Sequence, residues 1–467
     1  MNNANSTIIQ NELEFIKNAK QIKKILRTAF SSKYYKNLFN QVGIMDIDNI
    51  EELSYETFSK IPITSKNEYN ENKFYMFTFD SDGFDVEHYR MLATGDEKRD
   101  YLNKFKIKLH ITSGSTGQPL EVLKSQKDYA KDYLMLNNNR LRLTSYNFKG
   151  KFIWIWPINS VIYKYFPNRE FNVVREINKY GYMYCFYEHS NDNFNKLYEY
   201  IIQNDFEWVT TSPTLLCNFA NYIKNNNLTF IHFKYIECHS EKLHDWQKDI
   251  ISSVFGVKPV SIYSSNEVQF MGATCENNLH VFSNTCFIEF IKNNNGRNDL
   301  IVTSLNYTDI PIIRYKLGDC GKYINETDCN CALKRFPIIE LDGFRSNDFI
   351  IGLNGKTIEP FIISDSIFLL STTFSLNIKK YKVKQVDLDS FEFYLEREFL
   401  NDNIYLEKYE EFLKEILESV LGYKVKVLMK NIEFDESLYS GNKYKYFEVS
   451  MPMTPNLDPS TCSEKNI

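Results

Sequence analysis

The stretch Ile111-Thr-Ser-Gly-Ser-Thr-Gly-Gln-Pro119 follows an apolar run and sets four hydroxyls, on Thr112, Ser113, Ser115 and Thr116, around two glycines. Gly114 and Gly117 reach backbone conformations closed to other residues, and the hydroxyls can donate to anionic oxygens. Behind a strand, such a loop suits a polyphosphate held by backbone N–H groups and side-chain hydroxyls. It is not a Walker A loop, because no Gly-Lys-Ser/Thr follows. Pattern alone equally allows an ordinary turn rich in small polar residues.

Outward from this loop, short apolar runs at 107–111, 152–156, 208–210, 235–238 and 259–263 alternate with amphipathic stretches at 193–203 and 215–224. Strands separated by helices predict an α/β domain with largely parallel strands. Residues 1–105 form a largely helical lead-in, with Leu13, Ile16, Ile22, Ile25 and Leu26 near helical spacing. The segment 79–99 carries Gly, Asp and Lys with little periodicity and reads as a surface loop. Further on, Phe391, Phe393 and Leu395 alternate as in a strand. Leu406, Tyr409, Phe412, Leu413, Ile416, Val420 and Leu421 then keep the helical period, with Gly422 placed to end the helix. Val425, Val427 and Met429 alternate again. The expected organisation is a large domain at 1–344, with mixed and parallel sheets flanked by helices, and a small α+β domain at 345–467.

Composition bounds the function. At 467 residues the chain exceeds what one hydrophobic core serves, and 43% hydrophobic residues with 36 Phe and 32 Tyr can fill more than one. A net charge of −5 with dispersed basic residues argues against nucleic acid. No stretch offers the roughly 18 apolar residues of a membrane span, and the first residues are polar where a signal peptide is apolar. Nine cysteines in a long chain are unlike the even framework of a small secreted domain. A cytoplasmic protein with reduced thiols is expected, in which clustered cysteines serve a metal better than a disulfide.

Three more segments give the loop a context: Ile262-Tyr-Ser-Ser-Asn-Glu267, Ile313-Arg-Tyr-Lys-Leu-Gly-Asp319 and Gly343-Phe-Arg-Ser-Asn-Asp348. In this order and at these separations they resemble the adenylate-forming superfamily of acyl, aryl and luciferase-type ligases. Within it they are similar to the phenylacetate–CoA ligase-like branch, which includes capsule-biosynthesis adenylate ligases. Tyr34-Tyr-Lys-Asn-Leu-Phe39, Lys60-Ile-Pro-Ile-Thr-Ser-Lys66, Thr211-Ser-Pro-Thr-Leu215 and Glu237-Cys-His-Ser-Glu-Lys-Leu243 fit the same branch, so the resemblance spans nearly the whole chain.

The resemblance implies an AMP-forming acid–thiol ligase. A small carboxylic acid attacks ATP to give an acyl-adenylate and pyrophosphate, and CoA, a carrier-protein thiol or an amine then displaces AMP. Ser113, Gly114, Ser115, Thr116 and Gly117 would hold the β- and γ-phosphates, with Asn266 beside them. Glu267 would ligate Mg²⁺, a cation that prefers oxygen ligands. Tyr263 would lie against adenine, Asp319 would accept both ribose hydroxyls, and Arg345 would sit near the ribose and phosphate. In Ser440-Gly-Asn-Lys-Tyr-Lys-Tyr446, Lys443 matches the lysine that bridges carboxylate and α-phosphate, with Lys445 as the alternative. Asn347 takes the hinge position about which the mobile small domain would turn.

The chain departs from the pattern at several places. Asn266 replaces threonine, Ser264 and Ser240 replace glycines, Phe344 is inserted, and Asn347 replaces the hinge acid or lysine. These departures motivate an alternative, a non-catalytic nucleotide- or acyl-binding relative. Cys275, His280, Cys329 and Cys331 match positions where the branch has cysteines and a histidine, some of which look like structural zinc sites. Cys320 could replace one ligand. Four isolated residues remain the alternative, since Cys-x-Cys is tighter than usual zinc spacing. Trp154 and Trp156 could line a substrate pocket with His239 nearby, although alternating aromatics in an apolar strand also serve as core.

Overall fold

Short polar residues punctuate the first hundred positions. Ser32, Asp46, Ser54, Ser65 and Asp85 each accept a hydrogen bond from the backbone N–H three residues on, which starts a helix at each site. Ser65 and Glu68 complete a reciprocal capping box. The computed structural model describes residues 2–79, 83–92, 95–112, 120–144, 146–157, 174–186, 191–240, 242–275, 278–293, 297–324, 329–341, 350–353, 357–358, 361–374, 376, 378–397, 406–432 and 447–450. The chain falls into two units. One holds 1–112, 120–145 and 262–344, the other 113–119, 146–261 and 345–467. Among the described residues, no helix is long and apolar enough to cross a membrane.

The first unit opens with a 28-residue helix, Asn2–Ala29. Its buried face is Phe15, Ile22, Ile25 and Leu26, whereas Leu13 and Ile16, expected on that face, are exposed. Polar Asn11, Glu14 and Asn18 are buried near them instead, a substitution that hydrophobic spacing cannot show. The expected loop at 79–99 contains helix Val86–Met91 and the start of Gly95–Lys104. These turns are held by a cluster of Phe84, Tyr89, Tyr101 and Phe105, whose polar neighbours hid the period.

Strands β1 (Ile107–Thr112) and β2 (Leu120–Ser125) pair antiparallel, closing with Thr112 opposite Leu120. The helix Gln126–Leu143 starts directly afterwards on a Ser125 cap.

In the second unit, β3 (Phe152–Pro157), β5 (Gly181–Phe186), β6 (Trp208–Thr211), β7 (Tyr235–Cys238) and the start of β8 (Val260–Tyr263) pair in parallel. The edge strand β4 (Val174–Asn178) runs antiparallel. Ile153 and Ile155 face a core built with helices Asn191–Asn204, Pro213–Asn225 and Asp245–Phe255.

The expectation of largely parallel strands holds only here. In the first unit Ile262 and Tyr263 pair antiparallel with β9 (Gly272–Thr274). The order continues through β10 (Leu279–Val281), β14 (Ile338–Leu341), β13 (Tyr315–Ile324), β12 (Asn298–Ser304) and β11 (Cys286–Lys292), all antiparallel. Residues 286–291 are all buried except Ile291, which is half-buried, so no alternation marked this as antiparallel.

The C-terminal stretch has a core of its own. A short pair, β15 (Ile350–Ile351) and β16 (Thr357–Ile358), precedes four strands in the order β19-β18-β17-β20: β17 (Ile378–Asp387), β18 (Ser390–Arg397), β19 (Lys426–Asn431) and β20 (Phe447–Val449). Phe391, Phe393 and Leu395 face helix Leu406–Leu421, which ends with Gly422 at φ +77. That left-handed turn is open to glycine at low cost.

Candidate functional site

Residues 113–119 are followed by β2 rather than by a helix, so no helix N-terminus follows them directly. Ser113, Gly114, Ser115, Thr116 and Gly117 lie outside the described residues, as do Arg345, Asn347, Lys443 and Lys445. Tyr263, Asn266, Glu267, Asp319 and the four cysteine and histidine candidates belong to the first unit, and Trp154, Trp156 and His239 to the second.

Tyr263, Glu267 and Asp319 are brought together by β13. The Tyr263 hydroxyl donates to Asp319 Oδ2 at 2.7 Å, and the Tyr315 hydroxyl donates to Glu267 Oε1 at 3.0 Å. Tyr315 and Asp319 share one strand, so two phenol–carboxylate bonds fasten the segment 263–267 to it. Asp319 stands where the register against β12 slips between Asp299 and Ile301, beside Gly318 at φ +93. Such a bulge re-aims a side chain.

Glu267 sits in a turn that is tied at several points. Ser265 Oγ accepts from Val268 N at 3.0 Å, and Ser264 Oγ accepts from Phe270 N at 3.1 Å. Ser264, where the resemblance places a glycine, thus gives its hydroxyl to the turn. Ser240 adopts φ +75, the region a glycine would enter without strain. Asn266, beside Glu267, is half-buried.

The four residues Cys275, His280, Cys329 and Cys331 converge, their ligand atoms all within 4.8 Å of one another. Cys275 Sγ lies 3.6 Å from Cys329 Sγ, and His280 Nε2 lies 3.4 Å from Cys329 Sγ and 3.3 Å from Cys331 Sγ. Bonds of about 2.3 Å to sulfur and 2.0 Å to nitrogen give tetrahedral edges near these separations, so the donor set fits zinc. His280 is buried on β10, and its Nδ1 lies 3.3 Å from Phe336 O, which leaves Nε2 to face the sulfurs. The Cys329 thiol is lowered to about 6, chiefly by a backbone hydrogen bond at Cys331. Burial, then Cys329, pushes Cys331 up to about 12. Cys320 is not in this set; its Sγ lies 3.6 Å from Asp299 Oδ1.

In the second unit Trp154 and Trp156 stand on the face of β3 opposite Ile153 and Ile155, with their rings 5.2 Å apart. His239 lies 6.2 Å from Trp154. Among the described residues the Trp154 indole nitrogen is shielded from solvent and meets no hydrogen-bond partner.

Sequence reasoning gave no role to Tyr315, Lys124, Asp132 or Tyr307. Tyr315 lay inside a quoted motif. The other three come from distant segments and have no local signal.

No family model matches the chain. It is similar to Protein CapK of Staphylococcus aureus, 31% identical over 140 residues. That match covers 29% of this chain and about a third (31%) of the relative's length. Among solved structures, 2-hydroxyisobutyryl-CoA ligase in complex with 2-HIB-AMP and CoA matches with a TM-score of 0.55 and 14% identity, over 93% of this chain and 89% of that one. The same ligase in its postadenylation state, with R3-HIB-AMP, matches with a TM-score of 0.50 and 14% identity over 92% and 88%. At these identities the likeness shows a shared fold.

Proposed function

We propose that this chain, which has the fold of the adenylate-forming CoA ligases, couples a small carboxylic acid to ATP as an acyl-adenylate and then passes the acyl group to CoA or another thiol or amine. The observation that carries this is the pair of tied acids, Asp319 held by Tyr263 and Glu267 held by Tyr315. Asp319 would take ribose hydroxyls, and Glu267 would offer an oxygen to Mg²⁺. The cation supplies charge neutralisation at the phosphates, and fixing its ligand beforehand removes reorganisation from the reaction.

The carboxylate is already a competent nucleophile, so the chain's task is positioning and charge stabilisation rather than proton transfer. Tyr263 would pack against adenine while its hydroxyl keeps Asp319 oriented. Ser113, Ser115 and Thr116, with Gly114 and Gly117, would hold the terminal phosphates, and Asn266 would donate beside them. Arg345, Lys443 and the hinge Asn347 would act from a small domain at 345–467. Cys275, His280, Cys329 and Cys331 would hold zinc as a closed structural set with no open ligand position. Clustered thiols suit a reducing compartment, and we place the protein in the cytoplasm.

Carboxylate-dependent exchange of labelled pyrophosphate into ATP tests this. Exchange with at least one acid is expected, and Lys443→Ala abolishes it while sparing ATP binding. No exchange across a broad acid panel, with ATP still bound, would overturn the catalytic reading in favour of a non-catalytic relative. Zinc is read separately, as stoichiometric metal in the purified protein.

A further inference from the structure

Behind Glu267 lies a buried cluster that the proposed reaction does not use. Lys124 on β2, Asp132 on helix Gln126–Leu143 and Tyr307 are each about 1% exposed or less. Lys124 Nζ lies 3.2 Å from Asp132 Oδ2 and donates to the Tyr307 hydroxyl at 2.5 Å. Tyr307 donates to Asp132 Oδ2 at 2.6 Å and accepts from Gln269 N at 3.1 Å. A phenol has one proton and two lone pairs, and Tyr307 uses all three.

Stability alone gives little reason for such a cluster. Apolar residues of similar volume commonly replace a buried ion pair without loss, and here Asp132 Oδ1 is buried with no partner among the described residues. What the cluster does reach is the Glu267 turn. Gln269 stands two residues beyond Glu267, and Phe270 follows at φ +55, a region that non-glycine side chains hold only when their surroundings fix it. Tyr307 is the group that grips the backbone just before that residue. On the other side Tyr315 holds the Glu267 carboxylate itself.

We infer that Lys124, Asp132 and Tyr307 form a positioning clamp that acts through Gln269 N to hold Glu267 where it binds the divalent cation of a metal–nucleotide complex. This rests on the reading of Glu267 as a cation ligand. The clamp touches neither cation nor nucleotide, so its loss appears as weaker cation binding rather than as altered affinity for the acid.

The test titrates Mn²⁺ into the full-length, zinc-supplied protein in the presence of ATP, with free Mn²⁺ read by electron paramagnetic resonance. Tyr307→Phe keeps the ring and removes only the hydroxyl. Glu267→Gln reports the ligand itself, and Tyr55→Phe removes a phenol of the same unit that bonds Glu289 instead. Glu267→Gln is expected to weaken Mn²⁺ binding more than tenfold, Tyr307→Phe by about three- to tenfold, and Tyr55→Phe not at all. If Glu267→Gln weakens binding while Tyr307→Phe leaves it at the wild-type value, the clamp is overturned and the ligand assignment stands. If Glu267→Gln also leaves it unchanged, the ligand assignment fails and the clamp fails with it. Should Tyr307→Phe not fold, Lys124→Gln is read by the same titration.

Discussion

Two buried ion pairs in the first unit solve the same problem differently. Arg314 meets Glu289 with Nε–Oε2 at 3.0 Å and Nη2–Oε1 at 3.1 Å, and its Nη1 donates to the carbonyls of Ser59 and Ile61. Tyr55 donates to Glu289 Oε1 at 3.2 Å, so both carboxylate oxygens are engaged. Lys124 and Asp132 are as deeply buried, yet Asp132 Oδ1 has no partner among the described residues; burial raises the pKa of Asp132, as it does that of Glu289, and lowers that of Lys124. A planar guanidinium can satisfy a buried carboxylate through two donors while reaching main-chain oxygens with a third. A compact ammonium cannot. The complete pair fastens helices to strands; the incomplete one stands where a turn must be aimed.

Breaking the complete pair should therefore have the larger effect. Arg314→Met strands a buried carboxylate and two buried carbonyls, and should lower the unfolding free energy by about 3–5 kcal/mol in urea titrations. Arg314→Lys should recover only part of that. The Cys275, His280, Cys329 and Cys331 set sharpens the contrast, because under the zinc reading its stability would come from a bound ion rather than from a partner side chain. Zinc at a hundredfold excess over its Kd should add about 2.7 kcal/mol, removable by chelator and absent in Cys275→Ser. Lys124→Met removes two hydrogen bonds from a site whose carboxyl can take up a proton. A loss of about 1–3 kcal/mol is expected, and Lys124→Met with Asp132→Leu should regain part of it. A loss from Lys124→Met equal to that from Arg314→Met would erase the distinction.

At neutral pH the smallest effect belongs to His110, which stacks on Tyr129 at 5.4 Å. Burial, then the charges of Lys124 and Lys108, lowers its pKa from 6.5 to about 3. Between those values the unfolded chain binds a proton that the folded chain does not. Its contribution to stability is full above pH 6.5 and is lost as pH falls toward 3. His110→Phe should flatten that limb in unfolding free energies measured between pH 4 and 7, and an unchanged slope would remove His110 from the account.

What the sequence made legible follows from locality. The parallel strands of the second unit are short apolar runs between amphipathic helices, and periodicity finds both. The helix Leu406–Leu421 and its terminal glycine were legible for the same reason. In the antiparallel half β11 escaped because residues 286–290 are buried on both faces and carry no alternation, although β13 does alternate over residues 315–318. Ordered motifs pointed to Tyr263, Glu267 and Asp319, but not to the phenols that aim them. Tyr315 and Tyr307 act across 48 and 38 residues of sequence, on Glu267 and Gln269. The four metal-ligand candidates were legible as residues, and only folding showed that 275–280 and 329–331 meet.

The side chain of Asn11 has a consequence for how copies of this chain behave in company. Strand β11 is the last strand in its sheet order, with an edge that could accept another strand. Asn11 donates to Phe290 O at 2.9 Å and accepts from Phe290 N at 3.0 Å, so one amide side chain occupies the place of a neighbouring peptide. The N-terminal helix is thereby a guard against edge-to-edge aggregation. Loosening it, by truncation or by proteolysis before residue 12, would open a sticky strand at the end of an otherwise paired sheet.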